Sequence, residues 1–184
     1  MIVTKLKRVV LTLITSIIIL LIVAAFTTKK YDVVRSIVIN KPKAEVFNYI
    51  KYLDNHKNFI IWKDLPGDTT WVYKGRDGEI GYIFFWKNVK GVKTVGEKEI
   101  IDINEGRRLD FELRFLEPFE AIIPSSLNTE SVGPDKTKVT WTTNGKLSYP
   151  INIVLVFYDY GAKIGDDLSV GLNNLKVILE DSNE

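Results

Sequence analysis

The chain has 184 residues, none of them cysteine, with 46% hydrophobic and 26% charged side chains. That suits one folded domain plus a short extra segment, and excludes disulfides, thiolate catalysis and cysteine metal sites. The charge is uneven: Lys5, Lys7, Arg8, Lys29 and Lys30 give residues 1–30 a charge of +5, whereas residues 31–184 hold 20 basic and 23 acidic side chains, so the pI of 8.6 is no argument for nucleic-acid binding.

Val9 to Phe26 (VVLTLITSIIILLIVAAF) contains no charge. As a helix it is about 27 Å long, close to the roughly 30 Å hydrocarbon core of a bilayer. Thr12, Thr15 and Ser16 can bond back to helix carbonyls, and the flanking lysines and Arg8 can reach the headgroups. A cleaved signal peptide is the competing reading, because Val23-Ala24-Ala25 offers small residues for a peptidase; the run exceeds the roughly 7–15 residues of a signal core. Residues 1–30 therefore read as a membrane anchor with a transmembrane helix at 9–26, and residues 31–184 as one domain. The short basic tail favours the cytoplasm and would export the domain, although Lys29, Lys30, Arg35, Lys41 and Lys43 pull the other way.

Residues 33–39 (VVRSIVI) read as a strand. Pro42 suits the first turn of a helix over Ala44–Lys51, and Leu53–Phe59 can add another turn or two. The period then changes to two. Thr69–Lys74, Glu79–Lys87, Thr94–Ile103, Arg108–Phe115, Phe119–Thr129 and Thr137–Lys146 read as strands, with Asp77-Gly78 as a hairpin turn. In 108–115 Leu109, Phe111, Leu113 and Phe115 alternate with Arg108, Asp110, Glu112 and Arg114, so the charged members should face water. Ile164, Leu168, Gly171, Leu172, Leu175, Ile178 and Leu179 form the stripe of a long C-terminal helix. Short turns between strands imply an antiparallel meander, and the helix must bury its stripe against it.

This ordered set resembles the helix-grip (SRPBCC) superfamily of START lipid-transfer domains, the birch-pollen allergen family and polyketide cyclase/dehydrase-like proteins. The carrying segments are VVRSIVINKPKAEVFNYIKYL, GEIGYIFFW, RRLDFELRFLEPF, TKVTWTTNGKL and IGDDLSVGLNNLKVILE. The likeness is strongest to the polyketide cyclase/dehydrase-like branch, where a Gly-Leu-x-x-Leu-Lys helix closes the domain; here Gly171-Leu172-Asn173-Asn174-Leu175-Lys176 stands in that place. The resemblance implies an α+β helix-grip fold: a curved antiparallel sheet of about seven strands wrapped on a long C-terminal helix. It departs from the pattern in its loop Phe59-Ile60-Ile61-Trp62-Lys63-Asp64-Leu65-Pro66, reduced from a Trp- and Pro-rich one, and in the added N-terminal helix.

Catalytic motifs are few. The only histidine, His56, lies in the polar stretch Asn55-His56-Lys57 and reads as a solvated surface residue. One histidine and no cysteine give no basis for a metal centre. Asp166-Asp167 reads as a pair complementing the dipole at a helix start. Gly75, Gly78, Gly91 and Gly96 are turn and strand glycines, not a phosphate cradle, and no cofactor motif is present. Tyr82, Asp64 and Glu79 are conceivable proton-transfer groups without a partner in sequence, so no catalytic residue is assigned.

Aromatic residues are dense: Trp62, Trp71, Tyr82, Phe84, Trp86, Phe111, Phe115, Phe119 and Trp141. Core packing accounts for any one of them; together they suit an apolar pocket with sparse polar anchors. The expected cavity has Tyr82, Phe84, Trp86, Phe111, Leu113, Phe115, Val139, Trp141 and Thr143 on the sheet, faced by Leu168, Leu172 and Leu175 of the helix. Tyr149–Tyr160 (YPINIVLVFYDY) reads as a short helix capping the cavity end, or as a lip touching a bilayer. The expected function is a membrane-anchored binder or carrier of an apolar, lipid-like or polycyclic molecule. A cyclase- or dehydratase-type enzyme and a solid regulatory membrane module are the alternatives.

Overall fold

In the computed structural model the described residues are 2–60, 69–88, 93–117 and 120–181, the side chains of 2–4 excepted. Helix α1 (Ile2–Phe26) runs into β1 (Lys30–Ile39), followed by α2 (Lys43–Ile50) and α3 (Leu53–Phe59). Six strands follow: β2 (Thr69–Lys74), β3 (Ile83–Asn88), β4 (Thr94–Asn104), β5 (Arg108–Glu117), β6 (Ala121–Gly133) and β7 (Lys136–Lys146). A 3-10 turn (Ile151–Ile153), a short α4 (Val154–Phe157) and the long α5 (Tyr160–Asp181) come last.

The seven strands form one antiparallel sheet in the order β1-β7-β6-β5-β4-β3-β2. Register shifts at Val95/Gly96 and Ile100/Asp102 interrupt the β4–β5 ladder, and such irregularities bend and twist a strand. Gly96 lies opposite Trp86 in the β3–β4 register. A Cβ there would stand 2.4 Å from the indole and 2.7 Å from the Arg114 carbonyl oxygen, so only glycine lets the ring lie across β4.

The amphipathic pattern decides the layers. Buried Leu168, Leu172, Leu175 and Leu179 of α5 join the sheet's inner face and Val46, Phe47, Ile50, Leu53 and Phe59 of α2 and α3 in one core. On the outer face Arg114 donates to Glu97, Glu99 and Glu112 at 2.5–2.9 Å, so the charged face of β5 points outward. Two helix or strand starts and the role of one turn residue differ notably from the sequence reading. β1 starts at Lys30, because Lys30 and Tyr31 still pair with Lys146 and Gly145. α5 starts at Tyr160, so Asp166 and Asp167 lie in its second turn and are not at its dipole end; Asp167 pairs with Lys163 at 2.9 Å. Asp77 is more than a turn residue: its carboxylate accepts the backbone N–H groups of Leu53 (2.8 Å) and Asp54 (2.9 Å), capping α3.

Lys5–Phe26 is long and apolar enough to cross a membrane, and only 6% of that stretch is buried. Its C-terminal end is tied to the rest of the chain. The fully buried Asn152 donates its Nδ2 hydrogens to the carbonyls of Ala24 (2.7 Å) and Thr27 (3.2 Å), two of the acceptors a helix end leaves open.

Candidate functional site

A cavity of about 500 Å³ lies between the sheet, α3 and the first half of α5. Each strand from β2 to β7 contributes two residues: Trp71 and Tyr73, Phe84 and Trp86, Thr94 and Lys98, Leu113 and Phe115, Ile123 and Ser125, Trp141 and Thr143. Period two puts both members of each pair on the inner face. Ile164, Asp167 and Leu168 form the helical wall, and Lys57 and Ile60 close the α3 side. Ring centroids of Trp71–Phe84, Phe84–Trp86 and Trp86–Phe115 lie 5.4–5.7 Å apart, a continuous aromatic row across three strands.

Of the residues expected to line a cavity, Phe84, Trp86, Leu113, Phe115, Trp141, Thr143 and Leu168 do so; Tyr82, Phe111, Val139, Leu172 and Leu175 do not. They are buried in the core. Packing at one end explains the difference. The Phe59 carbonyl accepts from Asn174 Nδ2 at 3.1 Å and lies 3.5 Å from where a Cβ on Gly171 would be. The end of α3 thus seats on α5 at Gly171, and beyond it Leu172 and Leu175 meet solid core. Phe111 is covered by Lys98, whose Nζ stands 4.0 Å from its centroid. Tyr82 precedes β3 and donates its hydroxyl to Asp54 at 3.1 Å; burial and then Asp54 hold its pKa above the usual tyrosine value. The short helix of 151–157 does form, but none of it lines the cavity. Trp62, Asp64 and Phe119, and Gly91, lie outside the described residues.

Two polar residues of the interior were not anticipated. His56 is fully buried, which corrects the surface reading. On α3 it shares a face with Leu53 and Phe59, also fully buried. Its Nε2 lies 2.7 Å from the Ile50 carbonyl. A carbonyl only accepts, so Nε2 carries the hydrogen and Nδ1 keeps its lone pair. That lone pair accepts from Lys98 Nζ at 2.6 Å. Burial first, and then the Lys98 charge, push the His56 pKa well below 6.5, so the ring is neutral.

Lys98 is 3% exposed. Among the described residues no carboxylate pairs with its Nζ. Burial lowers its pKa to about 7, Asp77 opposing slightly. The neighbouring cavity lysine behaves differently. Lys57 Nζ donates to Tyr73 Oη (2.7 Å) and Asp54 Oδ1 (3.0 Å) and lies 4.4 Å from the Tyr73 centroid. Burial favours its neutral form, but these hydrogen bonds outweigh it and raise the pKa, so Lys57 stays an ammonium. Trp141 Nε1 and Thr94 Oγ1 are buried cavity-residue atoms without a hydrogen-bond partner, and Ser125 and Thr143 hydroxyls bond each other at 3.0 Å. Among the described residues no cluster of three or more histidine or carboxylate side chains could hold a metal ion.

No protein-family profile matches the chain, and no curated protein matches it by sequence. Solved structures do match in fold. Norcoclaurine synthase from Thalictrum flavum, in complex with dopamine and hydroxybenzaldehyde, has a TM-score of 0.60 at 13% identity, covering 89% of this chain and 94% of that one. The Zhui aromatase/cyclase of Streptomyces sp. R1128 gives 0.60 at 10% identity over 84% and 96%. A protein from Thermus thermophilus gives 0.59 at 18% identity over 84% and 100%. The seven-stranded antiparallel sheet with its C-terminal helix is the helix-grip fold that the resemblance implied.

Proposed function

We propose that this chain is a membrane-tethered binder or carrier of an apolar small molecule, held in the cavity between the sheet and α5. The cavity itself carries this reading. At about 500 Å³ it falls within the roughly 300–1,000 Å³ of small-molecule sites. Its walls are chiefly aromatic and aliphatic, with few polar groups among them. The fold neighbours include a synthase and a cyclase, which is consistent with a ligand-holding interior.

In this reading residues 1–30 are the anchor and residues 31–184 the ligand-binding domain, with α1 spanning the bilayer and the domain outside the cytoplasm. A tether concentrates the domain beside a reservoir of apolar molecules. Asn152 pins the end of α1 next to the 3-10 turn and α4. Ile151, Val156, Phe157 and Tyr158 are exposed there, Phe157 at 74%, and Phe26 at the helix end is 89% exposed. A segment fixed at the end of a spanning helix lies at headgroup depth, where exposed rings are favoured.

Native mass spectrometry of the full chain, extracted in mild detergent, tests the reading. A co-purifying apolar molecule is expected, together with one-to-one binding of naphthylmethanol that quenches cavity tryptophans. Narrowing the cavity by Leu168→Trp should weaken that binding at least tenfold. An interior that takes up neither cellular nor added apolar molecules would refute it and favour a solid structural module.

A further inference from the structure

We infer that Lys98 is a nucleophilic amine that captures an apolar aldehyde or ketone in the cavity as a reversible imine. The inference rests on the cavity being a ligand site, and it names the ligand class as a carbonyl compound.

Three features of position lead to it. Lys98 is buried on the cavity wall, between Phe84 of β3 and Leu113 of β5 in the ladder registers. Among the described residues its Nζ has no carboxylate in ion-pair contact to hold a proton on it. Its hydrogen-bond partner is the lone pair of His56 Nδ1, presented in one tautomer by the Ile50 carbonyl. A lysine desolvated in an apolar pocket is the usual form of a Schiff-base nucleophile. The other charged groups around the cavity are Lys57 at the α3 side, Asp167 on α5, and Asp54 and Asp77 near the start of α3. Lys57 and Asp167 are each engaged in their own ion pair, and Asp77 in capping α3. The lowered pKa of Lys98 agrees with the geometry: at neutral pH a large share of the amine is unprotonated.

The step is balanced without a co-reactant. The amine lone pair adds to the carbonyl carbon, forming C–N while the C=O π electrons move to oxygen. One N–H proton reaches that oxygen, with His56 Nδ1 placed to relay it, giving a carbinolamine. The C–O bond then breaks, water leaves with the second N–H proton, and C=N forms. Amine plus carbonyl thus becomes imine plus one water, and hydrolysis reverses it.

The test uses the full chain in detergent with naphthaldehyde, cyanoborohydride and peptide mapping. Naphthylmethanol, which has the same rings and no carbonyl, reports binding alone. The expected result is a reduced adduct on Lys98, formed at least 100-fold faster at neutral pH than on any of the other 18 lysines, Lys57 included, with a rate that rises through about pH 7. Lys98→Arg should abolish the adduct. The mapping of the unmutated chain decides the matter if that variant fails to fold. Alcohol binding with no adduct, or with adduct spread over surface lysines, overturns the assignment of Lys98 and leaves the cavity reading intact. No binding of either compound overturns both.

Discussion

Replacing Lys98 with Met should stabilise the protein at neutral pH by an amount that itself depends on pH. Burial takes the Lys98 pKa from 10.5 to about 7. At about 1.4 kcal/mol per pKa unit, this amounts to a penalty of about 5 kcal/mol on the folded state at pH 7 and below. Between about pH 7 and 10.5 the unfolded chain holds a proton that the folded chain has released. Raising the pH there favours the folded state by up to about 1.4 kcal/mol per pH unit. Above 10.5 both states are neutral and the penalty has gone; below about 7 both are protonated and it is constant. Met carries no such term, but it removes the donor to His56 Nδ1, which costs about 1–3 kcal/mol. The variant should therefore be about 2–4 kcal/mol more stable at pH 7, lose that advantage as pH rises, and fall below the unmutated protein near pH 10. Urea unfolding of both full chains in non-ionic detergent, followed by tryptophan fluorescence at several pH values, measures the difference. A difference that does not change with pH would refute a neutral, desolvated lysine.

His56 titrates in a separate window. Its folded pKa lies well below 6.5, so below pH 6.5 the unfolded chain takes up a proton that the folded chain does not, and stability falls by up to about 1.4 kcal/mol per pH unit. His56→Gln, whose amide can still meet Ile50 and Lys98, should flatten that acid limb in the same urea titrations. Gly96→Ala puts a Cβ 2.7 Å from the Arg114 carbonyl and 2.4 Å from the Trp86 ring; it should cost about 1–3 kcal/mol and weaken naphthylmethanol binding, as melting and fluorescence titrations would register. An environment-sensitive fluorophore at Phe157→Cys should shift to the blue in vesicles carrying the full chain, whereas one at Lys74→Cys should not; equal spectra would remove the bilayer contact of α4.

The sheet was legible because its two faces differ. In β5 each charged residue sits between apolar ones, and the six strand segments after Thr69 were found with ends displaced by a few residues. What failed was polarity standing in for exposure. Asn55 and Lys57 flank His56, yet Leu53, His56 and Phe59 recur every three residues, and that spacing turns one face of a seven-residue helix inward. Lys98 had a similar signal. Gly96, Lys98 and Ile100 share one parity of β4 and are buried, while Glu97 and Glu99 share the other and meet Arg114. The alternation of β4 thus places Lys98 inside. The extent of the cavity could not be read from periodicity, since the seating of Phe59 at Gly171 joins residues remote in sequence.

The position of Lys98 at the inner boundary of the cavity couples ligand binding to protonation. On one side it meets His56 and Phe111, which belong to the solid core; on the other it borders the cavity. An apolar occupant would strip the cavity side of water and leave the ammonium form with less solvation than before, driving the pKa below about 7. At pH 7 about half of the free protein is protonated at Lys98, so binding should release up to about half a proton; near pH 9 the amine is already neutral and release should vanish. Calorimetry with naphthylmethanol in buffers of different ionisation enthalpy reads this number without any covalent chemistry. A binding enthalpy independent of buffer at pH 7 would mean that the occupant does not dehydrate Lys98, and would refute this coupling.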